Sequence, residues 1–373
     1  MSANIPFEIQ EKIIKKNLSV KSLLQFRSVS KQWKSLIDSS EFITYHTQSH
    51  PEHLLIRYIP GGSDRVKYED NYVSIVDDDS FPDHKYPPFV PPTVKFLAFP
   101  FMIDCSHGLV CLHGVIRDQE NVKKLVVLWN PLVRKSVGIA IPGGAHEVVI
   151  SFGVCPKTSD PKIVKITRCC SIDNEATAEV FTLSSGAWRS LPMNKPFKSK
   201  SLQFLDTQVV INGVIYWLTY DHIIDKLRVY SFDLTSEEFG EPVDFANNLG
   251  TRHLRLYNIS KINESLVVLS YHVANNLTPK PFCDVWMMLK NGVPKPSFRK
   301  LFTVNDVQVD SIIGFRKNGQ PIIVQTHRRN DELEVFEPCW EHNNGLGIYG
   351  STFKMTSYTE SLLLLNRSDS FIQ

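Results

Sequence analysis

Few side chains in this 373-residue chain could carry catalysis, and those few fit no known catalytic pattern. Ser106 and His107 are adjacent, and a Ser-x-x-Lys spacing occurs at 28–31 and at 297–300. A serine nucleophile needs a base that a third group orients, and the partner motifs that accompany these spacings are absent. The chain also lacks a His-Glu-x-x-His motif, a phosphate-binding loop and a dinucleotide fingerprint. We therefore predict that the chain is not an enzyme, and we interpret Ser106 and His107 as turn residues.

One short stretch contains several groups that can bind a metal, namely Cys105, His107, Cys111 and His113. Thiolate and imidazole are the usual zinc ligands. No Cys-x-x-Cys spacing occurs in the chain, however, so ordinary strand and turn residues are the better interpretation. We predict no metal and no cofactor.

The segment 5–37 is dense in large apolar side chains but too short to enclose a core of its own. Pro6 suits the first turn of a helix, where its missing N–H has no intrahelical partner. Ile5, Ile9 and Ile13 then share one helical face. Asn17 or Ser19 can end this helix or cap the next. Ser30 is a candidate N-cap for a third helix, which carries Trp33, Leu36 and Ile37.

Two interpretations of these short helices remain open on the pattern alone. Each large apolar side chain left in water forgoes roughly 1.5–3 kcal/mol, so a partner that covers several of them gains affinity. The alternative is an ordinary helical cap that packs on the domain that follows.

The same segment resembles an F-box. The matching residues are Ile5-Pro6, Ile9, Ile13-Ile14, Leu18, Val20 to Leu24, Phe26-Arg27, Val29, Lys31, Trp33 and Leu36-Ile37. Ser19 stands where the family usually has Pro, Ser30 where Cys is common, and Lys12 where an acidic residue is usual. The resemblance implies an adaptor-binding F-box over residues 1–48, which docks on a Skp-type adaptor and through it on a cullin scaffold. The residues expected to contact the adaptor are Pro6, Ile9, Ile13, Leu18, Leu24, Val29, Trp33 and Leu36.

After about residue 50, short apolar runs separated by Gly, Pro, Asn and Asp replace the helical spacing, as is typical of strands and turns. Asn-Gly pairs at 212–213, 291–292 and 318–319 are hairpin-turn signals. A Val followed by a bulky apolar residue recurs about every 50 residues. The copies begin at Val127, Val180, Val229, Val285 and Val335, with a weaker one at Val73.

A period near 50 residues of all-β units is the signature of propeller blades, which bury their faces by stacking in a ring. We predict an α+β multidomain chain in which the helical F-box precedes an all-β, six-bladed propeller-like domain over residues 53–373. Ring closure would pair a strand near Leu54–Tyr58 with a last blade that contains Leu362–Leu365. A β-sandwich or two β domains are the alternatives.

The order of the loose motifs in this region resembles the plant F-box-associated interaction domain, which is kelch-like in period. The matching stretches are Gly108 to Leu112, Leu128 to Pro131, Val180 to Arg189, Asn212 to Trp217, Phe232 to Leu234 and Glu360 to Leu362. The double-Gly strand ends of true kelch repeats are missing. By this resemblance the β domain binds a client protein for ubiquitination.

The composition gives no indication of a nucleic-acid or membrane partner. The formal net charge is +2, which gives no argument for a nucleic-acid or membrane partner, and no apolar run approaches the ~20 residues of a membrane span. Seven cysteines, an odd number, together with the absence of an apolar signal segment predict reduced thiols in a cytoplasmic or nuclear protein.

The sequence thus predicts a non-catalytic substrate receptor of a Skp–cullin–F-box ubiquitin ligase. The alternatives are a propeller enzyme or glycan-binding protein with a fortuitous helical leader, and a Skp-bound complex without ubiquitination. The client is not specified by the sequence. Loops that could hold it are Gly61–Asp70, Asp77–Pro92, Asp221–Asp225, Val273–Phe282 and His327–Asp331.

Overall fold

A computed structural model of the chain describes residues 6–47, 52–61, 69–118, 121–143, 147–168, 176–192, 202–247, 256–274, 280–289, 296–305, 307–308, 311–326, 330–337, 344–367 and 370–372. The chain divides into two compact units. The first comprises Met1–Ile56, Tyr72–Pro142 and Thr356–Gln373, and the second comprises Arg57–Asn71 and Gly143–Met355.

Four helices open the first unit: α1 (Phe7–Asn17), α2 (Val20–Val29), α3 (Lys31–Ile37) and α4 (Ser40–Thr47). Pro6 is the N-cap of α1, one position before the predicted one, and its carbonyl accepts the N–H of Ile9 at 3.0 Å. Ser19 caps α2, and Ser30 caps α3 by accepting the Trp33 N–H at 3.1 Å, so both cap predictions are confirmed. Helix α4 was not predicted.

Strands account for most of the remaining described residues, which also include a short helix, α5 (Pro92–Lys95). The strands are β1 (Glu52–Pro60), β2 (Asn71–Val76), β3 (Lys85–Tyr86), β4 (Ala98–Ser106), β5 (Leu109–Asp118), β6 (Asn121–Asn130), β7 (Lys135–Ala140), β8 (Glu147–Val154), β9 (Pro161–Arg168), β10 (Thr177–Thr182), β11 (Ala187–Leu191), β12 (Leu202–Ile211), β13 (Val214–Asp221), β14 (Lys226–Asp233), β15 (Glu238–Phe239), β16 (Val243–Asn247), β17 (Tyr257–Ile262), β18 (Ser265–His272), β19 (Phe282–Leu289), β20 (Ser297–Asn305), β21 (Ile312–Phe315), β22 (Pro321–Gln325), β23 (Asp331–Val335), β24 (Asn344–Thr359) and β25 (Ser370–Ile372).

In the first unit, β4 to β7 form an antiparallel sheet in chain order, and β25 adds to its outer edge beside β7. The end of β24 lies beside β1, which is followed by β2 and β3. Trp129 is fully buried in the core of this unit, and its ring meets Tyr72 edge-on at 5.2 Å between centroids.

The second unit contains three complete antiparallel sheets, β8–β11, β12–β16 and β17–β20, followed by β21 to β24. Successive sheets share cores: Val180 packs in one cluster with Trp217, and Val229 packs in another with Val268. A third cluster joins Val285 to Ile323. Sheets buried on both faces explain why strands such as β13 are apolar almost throughout rather than alternating.

The recurring Val marks the same structural position in each copy. It lies in β6, β10, β14, β19 and β23, and each of these is the third strand of its antiparallel group. The weaker copy at Val73 lies in β2. The prediction of all-β units that repeat about every 50 residues is therefore confirmed, and the valine that recurs is buried in each of these third strands.

Turn chemistry also agrees with the sequence at the described hairpins. Asn212 and Gly213 have φ values of 50° and 75° and connect paired Ile211 and Val214, as an Asn-Gly type I′ turn requires. The Asn-Gly pair at 291–292 lies outside the described residues.

The predicted ring closure is partly wrong. Strand β1 does lie beside β24, at the expected N-terminal position. Leu362–Leu365, however, is a turn and not a strand. Four consecutive leucines fit a buried strand by pattern, but here they follow the end of β24, and two of them pack against the helices.

Candidate adaptor-binding surface

One side of the helical segment is buried against the β part of the first unit. Ile14, Val20, Leu23, Ile37 and Phe42 form an apolar cluster, which Val133, Leu362 and Leu365 complete. The helices therefore do not enclose this core alone, as their length predicted. The interpretation as a cap packed on the following domain holds for this side of the helices.

Polar contacts join the helices to the segment after β24. The Glu360 carboxylate accepts the N–H of Val20 at 2.9 Å, at the N-terminus of α2, where negative charge is favourable. Arg27 donates twice to Asp38, at 2.6 and 3.0 Å, and once to the side-chain oxygen of Asn366 at 3.0 Å. The hydrogen bond and charge of Asp38 raise the pKa of the Arg27 guanidinium above its ordinary value.

Another part of the helical surface carries large apolar side chains that the described residues leave exposed. Ile9 and Ile13, one turn apart on α1, are 50% and 46% exposed, and Val29 at the end of α2 is 70% exposed. Phe26 and Tyr45 are also exposed. Exposed large apolar side chains are therefore concentrated on the described part of these short helices.

The predicted contact residues fall into two groups. Pro6, Ile9, Ile13 and Val29 are exposed and available to a partner. Leu18, Leu24, Trp33 and Leu36 are half-buried and pack on the apolar cluster. Trp33 meets Phe26 edge-on at 6.1 Å between ring centroids. The role of all eight in adaptor binding stays a prediction; the structure shows which can contact a partner directly and which also support the helices.

Sequence reasoning missed two kinds of residue in this region. Phe26 and Tyr45 are exposed aromatics beside the predicted contacts; Phe26 stands in the motif itself, and Tyr45 follows Phe42 by three residues on α4. The supporting residues Glu360, Leu362 and Asn366 carry no local signal, because they lie more than 300 positions from the helices.

The second unit contains a polar pocket of about 570 Å³, at the turns that follow β8, β10 and β14. It is lined by Thr158, Ser159, Asp160, Lys162, Thr182, Ser184, Arg189 and Glu237. The Glu237 carboxylate pairs with both cations of the pocket. It lies 2.6 Å from Lys162 Nζ, and it also pairs with Arg189. Lys162 donates in addition to the Leu234 carbonyl at 2.6 Å.

The charges of the polar pocket neutralise one another. Burial acts to raise the pKa of the Glu237 carboxyl, but the hydrogen bonds and charges of Arg189 and Lys162 outweigh burial and hold the pKa below its ordinary value. A general acid at neutral pH needs a raised pKa. Glu237 is thus an ion-pairing carboxylate and is not tuned as a general acid.

We expect Glu237→Gln to lower thermal stability at pH 7 and to have less effect in acid. Because the folded-state pKa is lower than the unfolded-state value of about 4.3, the ion pairs stabilise fully above that value. Their contribution is lost as the pH falls through the folded-state pKa. The difference in melting temperature between the variant and the native chain should therefore shrink as the pH falls below about 4.3, and it should vanish only below the folded-state pKa. The exposed neighbour offers the control Glu238→Gln, and a constant difference at every pH would contradict the assignment.

The groups considered for chemistry have structural roles. Ser106 Oγ lies 3.0 Å from His107 Nδ1, and His107 and Gly108, with φ of 50° and 75°, form the turn between β4 and β5, as predicted. Among the described residues no three His, Cys, Asp or Glu side chains group as metal ligands. Cys105, Cys111, Cys155 and Cys283 are buried free thiols, and the other three cysteines lie outside the described residues.

Comparison with known families assigns both parts of the chain. The model of the F-box associated beta propeller domain matches residues 101–351. The chain belongs to this family. The F-box domain model matches residues 3–45, over α1 to α4. The resemblance predicted from the motifs is thereby confirmed, as is the fold of an F-box followed by a β-propeller domain.

Relatives of this F-box propeller chain include F-box proteins of Arabidopsis thaliana. One F-box protein is 27% identical over 64% of this chain and 60% of its own length. An F-box/LRR-repeat/kelch-repeat protein is 26% identical over 64% of each. The chain spans only 58% to 60% of the length of the first three relatives. The propeller domain of the Trilobed protease from Pyrococcus furiosus aligns over 67% of this chain and 71% of that domain, with 12% identity and a TM-score of 0.38.

Among the described residues, no helix has the length and hydropathy needed to cross a membrane.

Proposed function

We propose that this chain is the substrate receptor of a Skp–cullin–F-box ubiquitin ligase. The F-box docks on a Skp-type adaptor and through it on a cullin, while the propeller domain holds a client protein for ubiquitin transfer by other subunits. The chain itself performs no catalysis. The proposal places it in the cytoplasm, the nucleus or both.

The observation that carries this proposal is that the helices bury some of their large apolar side chains and leave others exposed. They bury Leu23 and Ile37 in the unit they support, yet leave Ile9, Ile13 and Val29 in water. Covering the exposed half of Ile9 and of Ile13 and the larger exposed part of Val29 would gain roughly 1 kcal/mol or more each, and the fold forgoes that gain. A helical cap whose only role was to cover the β unit would have no need of them.

Charge on the same helices indicates the character of the adaptor surface. Lys12, Lys21, Lys31 and Lys34 are all exposed. A partner that covers the apolar residues must also meet several ammonium groups, so an acidic adaptor surface fits best and association should weaken with salt.

The direct test is co-expression of the chain with a Skp-type adaptor, followed by size-exclusion chromatography. We expect a stable one-to-one complex whose affinity falls as ionic strength rises. A chain that elutes alone, although folded, would contradict the adaptor role.

The client-binding role of the β domain rests on family membership and on the surfaces it leaves free. The loops Asp77–Pro92 and Asp221–Asp225 are described in full, and the second of these exposes Ile223 at its tip. Residues 62–68, 275–279 and 327–329, which belong to the other three predicted loops, lie outside the described residues. No contact in the described chain favours one loop over another, and none specifically favours the alternative of an enzyme or a glycan-binding protein.

A further inference from the structure

Strand β25 occupies the outer edge of the β4–β7 sheet in an unusual way. Ser370, Phe371 and Ile372 pair in parallel with Val137, Gly138 and Ile139 of β7. The other strand pairs of this sheet are antiparallel and follow chain order. In the described part of the second unit, β11 and β20 end their sheets with no added strand. The edge of β7 is thus occupied by an extended segment that does not follow the antiparallel, sequential order of the other strands in this sheet.

Gly138 shapes this edge to receive an aromatic ring. An ideal Cβ on Gly138 would lie 2.5 Å from Cδ1 and 2.7 Å from Cε1 of Phe371, so the ring lies directly on the glycine. The third nearest atom is Cγ of the same ring, at 3.6 Å. Glycine weakens a strand interior and often marks a place where another group approaches closely. The flanking side chains of Val137 and Ile139 are fully buried. Strand β7 therefore lacks a side chain only at the position against which Phe371 packs.

The bound segment is held by few contacts. Among the described residues of this segment three pair with β7, and Phe371 remains 54% exposed. A segment attached to the same chain binds at an effective concentration in the mM range, which compensates for weak contacts. A segment of another protein must bind more tightly than this to compete. A longer segment can do so by adding strand residues and further side-chain contacts.

We propose that the outer edge of β7 is a docking groove for an extended client segment, and that Ser370–Ile372 occupies it in cis. The fitting client segment adds in parallel and carries an aromatic residue between a small polar residue and a β-branched one, as in Ser-Phe-Ile. The aromatic ring packs on Gly138, while backbone hydrogen bonds to β7 hold the strand. This proposal rests on the proposed client-receptor function and names the class of client.

The test uses the full chain and a fluorescein-labelled peptide, Arg-Ser-Asp-Ser-Phe-Ile-Gln, which copies residues 367–373. Phe371→Asp removes the ring from the groove and places a poor strand former in the cis segment. We expect the labelled peptide to bind this variant saturably, with a Kd lower by about ten-fold or more than for the native chain, by fluorescence polarisation.

Two controls assign the binding to Gly138. Gly138→Ala, made together with Phe371→Asp, places a methyl group where the peptide ring should lie, and it meets nothing else closely. Gly138 is outside the left-handed φ region, so alanine fits its backbone. We expect this double variant to melt as the single variant does but to bind the peptide about ten-fold more weakly. A peptide with Ala in place of Phe should lose a similar factor.

Three outcomes would overturn the groove. The first is that the peptide does not bind the Phe371→Asp variant, and the second is that it binds the native chain equally well. The third is that adding Gly138→Ala leaves the affinity for the peptide unchanged. A native chain that elutes as a dimer which Phe371→Asp converts to a monomer would assign the edge to a second copy instead. No adaptor is present in these assays, so a failed groove leaves the F-box assignment standing, and a failed adaptor complex leaves the groove testable.

Discussion

Replacing Ile9 or Ile13 by Asp should raise the Kd for a Skp-type adaptor by about 100-fold or more, while the chain stays folded. Each isoleucine is about half exposed, so the free protein loses little by the change. In the complex the substitution removes the burial of the exposed half of the side chain, roughly 0.8–1.5 kcal/mol, and adds the larger cost of desolvating a carboxylate. About 2.7 kcal/mol corresponds to 100-fold in affinity, which isothermal titration calorimetry resolves.

Gln32→Asp is the matched control. Gln32 is exposed near the start of α3, so the variant adds the same charge and suits the helix N-terminus. We expect its affinity to stay within a few-fold of the native value. Equal losses for Gln32→Asp and Ile9→Asp would mean that net charge, and not the apolar surface, governs binding. Unchanged affinity in both isoleucine variants would remove the assigned surface.

Trp33→Ala should also weaken adaptor binding, but by a different route. Trp33 is half-buried on the apolar cluster and packs edge-on against Phe26. Its removal therefore disturbs α2 and α3 as well as any direct contact. This distinction between exposed contacts and half-buried supports could not be read from the F-box motif, which contains Ile9 and Trp33 alike.

The sequence predicted those features of the fold that local chemistry determines. Ser19 and Ser30 cap helices because a hydroxyl beside a free backbone N–H is a local arrangement. The Asn212-Gly213 pair forms a hairpin turn because both residues tolerate positive φ. The recurring Val identified the third strand of each sheet because the same position is buried in every copy.

What the sequence could not predict depends on contacts between distant segments. Leu362–Leu365 has the pattern of a strand, and only its packing on the helices explains why leucines follow β24. By sequence Gly138 is an ordinary small residue, and only the structure places the ring of Phe371 against it. Glu360 and Asn366 look like loop residues, yet both hydrogen-bond to the F-box helices.

Leu362→Ala should destabilise the F-box helices although the substitution lies outside every F-box motif. Leu362 is fully buried in the cluster that contains Leu23 and Ile37. A leucine-to-alanine change in such a core costs about 2–5 kcal/mol, through lost burial and the cavity that remains. We expect faster amide hydrogen exchange in residues 20–37 and a weaker adaptor complex. Hydrogen exchange detected by mass spectrometry locates the loss along the chain.

Leu363→Ala separates this effect from a general one. Leu363 is the adjacent leucine, only half-buried and not part of the cluster, and its carbonyl bond to Asn130 is unaffected by truncation of the side chain. Exchange in α2 and α3 should then match the native chain. If Leu362→Ala leaves these helices protected, the F-box folds without support from the segment after β24. If protection falls only in Leu362→Ala, the adaptor surface depends on a residue at the far end of the chain, because the F-box core is completed there.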